Sequence, residues 1–191
     1  MNVIIRAAKQ NDATAISSII LHTASNQLRN EFSDDGWELF LKLLNSDTQQ
    51  SLITNKKFNY YVAVVEHTVE DVIDDIVEDS KDSVEQPSVV GMMAIKDGNH
   101  LFHLFISQQW QGKGIGKKLW QNYLDTLLTR TADTQSKSAK FKLFPEKSFD
   151  KITVNSSDYA LKFYQRLGFV MEAGRQKKNG ICYTPMVYSL E

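Results

Sequence analysis

The amino-acid sequence predicts an α+β domain in an α/β three-layer arrangement, with a mixed, mostly antiparallel central sheet of about seven strands flanked by helices. Two observations predict this class. Apolar residues alternate in some segments and recur at helical spacing in others, in the order β, α, α, β, β, β, α, β, α, β, β. A glycine-rich turn at 112–116 also joins an apolar strand directly to an amphipathic helix.

The N-terminal quarter predicts one strand followed by helices. Residues 3–7 alternate as a first strand. Asn11 or Asp12 is suited to cap the first helix, and residues 33–35 offer caps for a second. Asp47 begins a third, shorter helical segment. These helices are expected to cover one part of the sheet.

The middle of the chain predicts three strands and a long helix. Residues 58–65, 89–95 and 101–107 are rich in β-branched, aromatic and other apolar residues and predict an antiparallel meander. The third strand leads into the glycine turn, after which residues 114–130 carry apolar residues at helical spacing. Residues 131–140 predict a polar connection.

The C-terminal part predicts a strand, a short helix and a hairpin. Ile152 and Val154 indicate the strand. Residues 169–173 and 181–190 predict the hairpin, and Asn179-Gly180 indicates a type I′ turn. The helix between them has apolar residues at positions i, i+3, i+4 and i+7, which are Ala160, Phe163, Tyr164 and Leu167.

Length and charge predict one domain over residues 1–191 with an acidic insertion at about 66–87. The 191 residues, of which 42% are hydrophobic, suffice for one core. The acidic stretch has nine Asp and Glu against Lys81, a charge of −8, so the rest of the chain carries +7 of the net −1. We expect a solvated insertion, with recruitment of a basic partner as the alternative.

Several function classes are disfavoured by the sequence. It has no long apolar stretch and no signal-peptide pattern, so we expect a soluble, cytoplasmic protein that does not bind a membrane. Cys182 is the only cysteine, which excludes an intrachain disulfide. The four histidines lack metal-ligand spacing, so no metal is expected. No basic run interleaved with aromatic residues indicates nucleic-acid binding.

The glycine turn predicts an anion site. Glycines at 112, 114 and 116 allow the backbone to turn N–H groups toward one point at the positive end of a helix dipole. The turn matches neither a P-loop nor a dinucleotide-binding loop. Its pattern Gln111-x-x-Gly114-x-Gly116 instead resembles the pyrophosphate loop of the GNAT acetyltransferase superfamily. A tight turn without a ligand is the alternative.

A second motif lies about 40 residues further along and strengthens the resemblance. Residues 155–169 contain Asn155, Ala160, Phe163-Tyr164 and Gly168-Phe169, in a pattern similar to the GNAT signature Asn-x-x-Ala-x-x-Phe-Tyr-x-x-x-Gly-Phe. The predicted order of strands and helices also matches the GNAT arrangement over essentially the whole chain. The chain is therefore identified as resembling a GNAT acetyltransferase.

The resemblance implies acetyl-CoA as co-substrate. The backbone N–H of Phe105 would face the thioester oxygen, and Tyr164 would protonate the leaving thiolate, although Tyr164 could equally be a packed core residue. The expected cofactor-binding residues are Leu104, Phe105, Ile106, Gln111, Gly112, Lys113, Gly114, Ile115, Gly116, Lys117, Asn155, Ser157 and Tyr164.

The general base is less clearly marked. Many relatives carry a carboxylate on the strand before the loop, whereas His100 and His103 are the titratable residues at that place here. A water chain or an acid from the N-terminal helices are the alternatives. By the same resemblance, Phe32, Trp37 and Tyr61 would line the acceptor site.

The function implied is transfer of an acetyl group from acetyl-CoA to a primary amine of a small-molecule or peptide acceptor, by direct attack in a ternary complex. The alternative is a GNAT-fold module that binds acyl-CoA or regulates a partner without turnover. The resemblance also leaves a homodimer open.

Overall fold

The computed structural model describes residues 2–66, 88–133 and 149–190. Apart from Glu66, the predicted acidic insertion lies outside the described residues. The strands are β1 (Asn2–Ala7), β2 (Phe58–Glu66), β3 (Ser88–Lys96), β4 (His100–Ile106), β5 (Lys151–Ser156), β6 (Val170–Met171), β7 (Gln176–Lys178) and β8 (Ile181–Ser189). The helices are α1 (Ala13–Gln27), α2 (Asp34–Lys42), α3 (Ser46–Thr54), α4 (Ile115–Asp133) and α5 (Leu161–Arg166). Among the described helices, none is long and apolar enough to cross a membrane.

The sheet confirms the predicted mixed, mostly antiparallel class. Its strand order is β1-β2-β3-β4-β5-β8-β6, with β7 paired to β8 beside this path. Strands β4 and β5 pair in parallel, and the other pairings of described strands are antiparallel. The first arm of the predicted C-terminal hairpin is divided into β6 and β7, which gives eight strands. The turn at Asn179-Gly180 has positive φ at both residues, as a type I′ turn requires.

Of the three N-terminal helices, α2 and α3 begin at a residue whose side chain caps the helix, and α1 does not. The Ser33 hydroxyl accepts an N–H of the first turn of α2, and the Asn45 side chain does the same for α3. Asp12, one of the predicted caps of α1, makes no cap bond. Its carboxylate instead binds Arg6 and the N–H of Lys9, and so ties β1 to the start of α1. At the other end of the fold, α4 extends three residues into the predicted polar connection.

The two faces of the sheet carry separate cores because side chains alternate along each strand. On β2, Tyr60 and Val62 belong to the core that packs under α1 and α3, whereas Tyr61 and Ala63 belong to the core under α4 and α5. The first core also contains Ile16, Ile20, Met92 and Ala94, and the second contains Leu101, Leu119, Tyr123, Ile152, Tyr164 and Phe169.

A β-bulge interrupts β4 before its C-terminal half. Ala94 pairs with His103 and Ile95 pairs with Leu101, so Phe102 is the extra residue. The bulge places the Phe102 and His103 rings on the same face, with centroids 4.2 Å apart. Phe102 also contacts Phe58, a member of the core under α1 and α3. The bulge therefore turns a histidine toward the face of the N-terminal helices.

Beyond the bulge, β4 and β5 separate. They pair only at His100 with Thr153 and at Leu101 with Val154. From there β5 continues on β8 as far as Ser156, whereas β4 continues on β3 as far as Ile106. The opening between residues 102–106 of β4 and residues 155–156 of β5 is called the β4–β5 gap below. It leaves the edge of β4 that faces β5 without a strand partner along most of its length.

Candidate active site

The glycine turn between β4 and α4 presents backbone N–H groups at its open surface. Gly112 and Gly114 have φ of +73° and +77°, and a Cβ built at either position meets nothing within 4 Å. The first helical hydrogen bond of α4 runs from Lys118 N–H to Gly114 O. The N–H groups of Ile115, Gly116 and Lys117 therefore precede the helical bonding pattern and carry the positive end of the helix dipole.

Gly116 has a different role from the other two glycines. It is buried in the first turn of α4, and a Cβ there would lie 3.0 Å from the Phe163 ring and 3.5 Å from the Leu104 side chain. The absence of a side chain thus lets α4 approach α5 and β4 closely. Only the backbone N–H of Gly116 remains as a candidate cofactor contact.

Lysines add positive charge around the turn. Lys113 lies between the two glycines, and its Nζ is 4.5 Å from the centroid of the Trp110 ring, a cation–π contact. Lys117 is exposed in the first turn of α4. Both predicted lysines are therefore on the surface beside the N–H groups, where an anion would be attracted.

The Gln111 side chain connects the turn to three other elements. Its Nε2 donates to Ile106 O at 3.0 Å and to Gln27 Oε1 at 3.4 Å. Its Oε1 accepts from Gln27 Nε2 at 3.0 Å and from the Tyr159 hydroxyl at 3.1 Å. Gln27 ends α1, and Tyr159 lies in the turn between β5 and α5. The amide is thus engaged with protein groups on all sides.

The register of β4 corrects the expected oxyanion donor. Ser107 N–H donates to Val90 O, and in an antiparallel pair the residues that bond the same neighbour alternate. Phe105 therefore directs its N–H to β3, whereas Leu104 and Ile106 direct their backbone groups into the β4–β5 gap. Ile106 O agrees with this assignment, since it accepts from Gln111 and Thr23 rather than from β3. The Phe105 side chain packs in the core under α1 and α3.

On the other side of the gap, β5 supplies two predicted residues. Asn155 is exposed at the end of β5, where it pairs with Pro185 of β8. The Ser157 hydroxyl accepts the N–H of Ala160 and so stabilises the turn that starts α5. Among the described residues, neither side chain forms a hydrogen bond to β4, as expected for residues that border an opening.

Tyr164 is held in the core under α4 and α5. It is 5% exposed, and its ring contacts Phe163 and Phe169 at centroid distances of 5.3 and 5.5 Å. Burial raises the pKa of the phenol, so Tyr164 is protonated at neutral pH. Within the described residues its hydroxyl has no hydrogen-bond partner, and the oxygen is not among the fully buried unpartnered atoms. A proton donor is thus available on this helix.

The two histidines of β4 occupy different environments. His100 lies where β4 and β5 still pair, and its Nδ1 shares a 2.8 Å hydrogen bond with Thr153. His103 lies where the gap opens, and burial lowers the pKa of its imidazole to about 4. Its buried Nδ1 has no hydrogen-bond partner among the described residues. Only His103 is therefore placed at the gap.

The chain also matches a known protein family. The family model described as "Acetyltransferase (GNAT) domain" matches residues 28–190, which is most of the chain. The chain belongs to the GNAT acetyltransferase family. The opened strands and the glycine turn thus lie in a GNAT domain, as the two sequence motifs predicted.

Solved GNAT structures share the fold at low sequence identity. The PaiA N-acetyltransferase of Thermoplasma acidophilum, in complex with coenzyme A, has a TM-score of 0.65 at 11% identity, with 100% of each chain covered. YncA of Salmonella typhimurium, with acetyl-CoA, has a TM-score of 0.59 at 17% identity, covering 100% of this chain and 95% of that one. A GCN5-related N-acetyltransferase of Rhodopseudomonas palustris has a TM-score of 0.61 at 17% identity, with 100% and 97% covered. No curated protein sequence matches the chain.

Of the three predicted acceptor residues, Phe32 and Trp37 lie together and Tyr61 lies apart from them. Phe32 and Trp37 form an aromatic cluster with Phe40 near the start of α2, with centroid distances of 4.9 to 5.6 Å. Tyr61 instead packs in the core under α4 and α5, where its ring contacts Tyr123. The prediction for Tyr61 therefore fails to account for strand alternation, which sends Tyr60 and Tyr61 to opposite faces of the sheet.

Two residues that contact the glycine turn through Gln111 were not predicted from the sequence. Gln27 and Tyr159 are both bonded to Gln111, from which they are separated by 84 and 48 residues. Gln27 belongs to a polar helix end and Tyr159 to a polar turn, and neither position carries a local pattern for binding. The separations explain the omission, because only the folded chain brings the three side chains together.

Proposed function

We propose that this GNAT domain transfers an acetyl group from acetyl-CoA to a primary amine of a small-molecule or peptide acceptor, by direct attack in a ternary complex. The β4–β5 gap is the observation that carries the proposal. It presents the backbone of Leu104 and the N–H of Ile106 without a strand partner, and it leads to the free N–H groups at the start of α4.

The gap and the turn suit the two parts of coenzyme A. Its pantetheine arm contains amides, which would pair with the backbone of Leu104 and the N–H of Ile106 as an added strand would. Its pyrophosphate is an anion, which the N–H groups of residues 114–117 and the nearby lysines would hold. The coenzyme A and acetyl-CoA complexes of PaiA and YncA support this assignment.

The reaction requires few groups. The amine nitrogen attacks the thioester carbon, and the developing oxyanion accepts a hydrogen bond from Leu104 N–H, which faces the gap. The C–N bond is then complete, the C–S bond breaks, and the departing thiolate takes a proton from the Tyr164 hydroxyl. Tyr164 is suited to this step because burial keeps it protonated.

The nitrogen must also lose a proton as the amide forms. We assign this proton to His103, because the bulge places its ring at the start of the gap, whereas His100 is bonded to Thr153. His103 is neutral at physiological pH and can accept it. No described carbonyl or carboxylate fixes its tautomer, so its effect is expected to be about tenfold, below the 10²–10⁴ of an oriented base.

The proposal is tested by measuring thiol release from acetyl-CoA across polyamines, amino acids, aminoglycosides and peptide N-termini, together with the thermal shift on addition of acetyl-CoA. Release with one amine class supports N-acetyl transfer and identifies the acceptor class. A thermal shift without release from any amine favours the binding module without turnover. Absence of both removes acetyl-CoA as the ligand.

A further inference from the structure

The Gln111 amide has no hydrogen-bonding capacity left for a ligand. A primary amide offers two N–H donors and an oxygen with two lone pairs. Its donors are used by Ile106 O and Gln27 Oε1, and its lone pairs by Gln27 Nε2 and the Tyr159 hydroxyl. A phosphate oxygen could bind this side chain only by breaking one of these bonds. The contribution of Gln111 to an anion site must therefore come from the position of the backbone that follows it.

The four bonds fix that position from three directions. Ile106 O lies at the end of β4, Gln27 at the end of α1 and Tyr159 in the turn before α5. Gln111 immediately precedes Gly112, the first positive-φ residue of the turn. Glycines give the turn its conformation but also make it easy to distort. An anchored residue next to them limits the movement of the N–H groups.

Tyr159 is itself held at its backbone. The buried Glu31 carboxylate accepts the N–H of Asp158 at 2.8 Å and the N–H of Tyr159 at 3.3 Å. Asp158 also forms an ion pair with Arg175, with the nearest atoms 2.9 Å apart. Although the Tyr159 side chain is 57% exposed, its hydroxyl thus extends toward Gln111 from a turn that the N-terminal segment and the C-terminal hairpin both stabilise.

We propose that Gln27 and Tyr159 are positioning residues for the phosphate-binding turn and act through Gln111. They link the cofactor site to the end of α1 and to the start of α5, so the N–H groups of residues 114–117 stand at a fixed distance from the β4–β5 gap. The inference rests on the proposed function, since the turn is taken to hold the pyrophosphate of acetyl-CoA.

Two conservative substitutions test the network. Tyr159→Phe keeps the ring and removes the hydroxyl, and its matched control is Tyr183→Phe, which removes a hydroxyl that donates to Gln176 Oε1 over the same 3.1 Å. Gln27→Met keeps the length of the side chain, and its control is Gln121→Met on the exposed surface of α4. Affinities for acetyl-CoA and for S-acetylpantetheine, which lacks the phosphates, are measured by calorimetry, with thermal melting as a check of the fold.

We expect each single variant to raise the Kd for acetyl-CoA about fivefold, the effect of one hydrogen bond of ordinary net strength. The double variant should reach about tenfold rather than the product of about 25-fold, because both partners act on one amide. The Kd for S-acetylpantetheine should stay within about twofold, and both controls should match the wild type.

Equal loss of affinity for both ligands would contradict the inference, because it would indicate a general loosening of the site. Unchanged acetyl-CoA affinity in Tyr159→Phe and Gln27→Met, with a wild type that binds, would remove the network and leave the proposed function intact. A wild type that binds neither ligand would overturn the proposed function, and this inference with it.

Discussion

Tyr164 has a ring packed in the core and a hydroxyl that is available to a ligand. Its ring packs among Phe163 and Phe169, yet its hydroxyl has no protein partner among the described residues. A hydroxyl that is held in place without a partner is available to a ligand, and burial keeps it in the acid form. The sequence marked Tyr164 both as a core residue and as an acid, and its surroundings are compatible with both.

Replacing Tyr164 with Phe should therefore lower kcat about a hundredfold and leave the Kd for acetyl-CoA within about twofold, since the acid acts in the transition state. Steady-state kinetics with the acceptor found in the amine panel, together with calorimetry, measure the two quantities. Tyr188→Phe is the matched control, because Tyr188 packs on Phe169 in the same aromatic cluster. A Tyr164→Phe protein with wild-type kcat would remove the acid role.

His103 should show no titration near pH 6.5 in the kcat/KM profile. Burial lowers its pKa to about 4, so the imidazole stays neutral between that value and its usual pKa. His103→Gln should reduce kcat/KM about tenfold, whereas His22→Gln, at an exposed position of α1, should have no effect. A wild-type inflection near pH 6.5 that disappears in His103→Gln would contradict the lowered pKa.

The elements that could be predicted from sequence are those specified by local chemistry. The type I′ turn at Asn179-Gly180, the Ser33 cap at the start of α2 and the glycine turn before α4 depend on residues a few positions apart. The division of the last hairpin into β6 and β7 was not predicted, because it depends on where β8 finds partners. Strand pairing between distant segments leaves no comparable local pattern.

The bulge in β4 shows why part of the candidate site was misplaced. The family resemblance predicts the backbone N–H of Phe105 as the oxyanion donor. Which N–H groups of β4 face the gap depends on its register with β3, and one extra residue in the strand is enough to change that register. Composition cannot show that register. The register on β3 shows instead that the N–H groups of Leu104 and Ile106 face the gap.

The glycine turn itself can be tested by adding one methyl group. Gly114→Ala meets no crowding, but φ of +77° is unfavourable for alanine, so the turn should relax and its N–H groups should move apart. We expect at least a tenfold rise in the Kd for acetyl-CoA and a loss of about 1 kcal/mol in the free energy of unfolding.

Gly174→Ala is the control for Gly114→Ala, because that glycine also has open space around it but no positive φ. Calorimetry and denaturant unfolding provide the two measurements. Wild-type affinity in Gly114→Ala would show that the turn does not hold the ligand through its conformation.

For the molecule as a whole, burial of neutral or paired groups makes stability depend on pH. Burial alone would raise the pKa of Asp12, but hydrogen bonds from Arg6 and from Lys9 N–H outweigh it and lower that pKa. The folded-state pKa of His103 is also below its unfolded value. In both cases the unfolded chain binds the proton more readily, so acid favours unfolding.

The two contributions should separate on the pH axis. The contribution of His103 to the free energy of unfolding is fully present above pH 6.5 and is lost as the pH falls to about 4. The difference of about 2.5 between its unfolded and folded pKa values corresponds to about 3 kcal/mol at most. The contribution of Asp12 is lost only below its usual pKa of 3.8. Urea unfolding at pH 7.5, 5.5 and 4.5 should therefore show that the free energy of unfolding falls steadily with pH for the wild type and falls less steeply for His103→Leu. His22→Leu should follow the wild type, and equal slopes in wild type and His103→Leu would show that His103 is not buried in its neutral form.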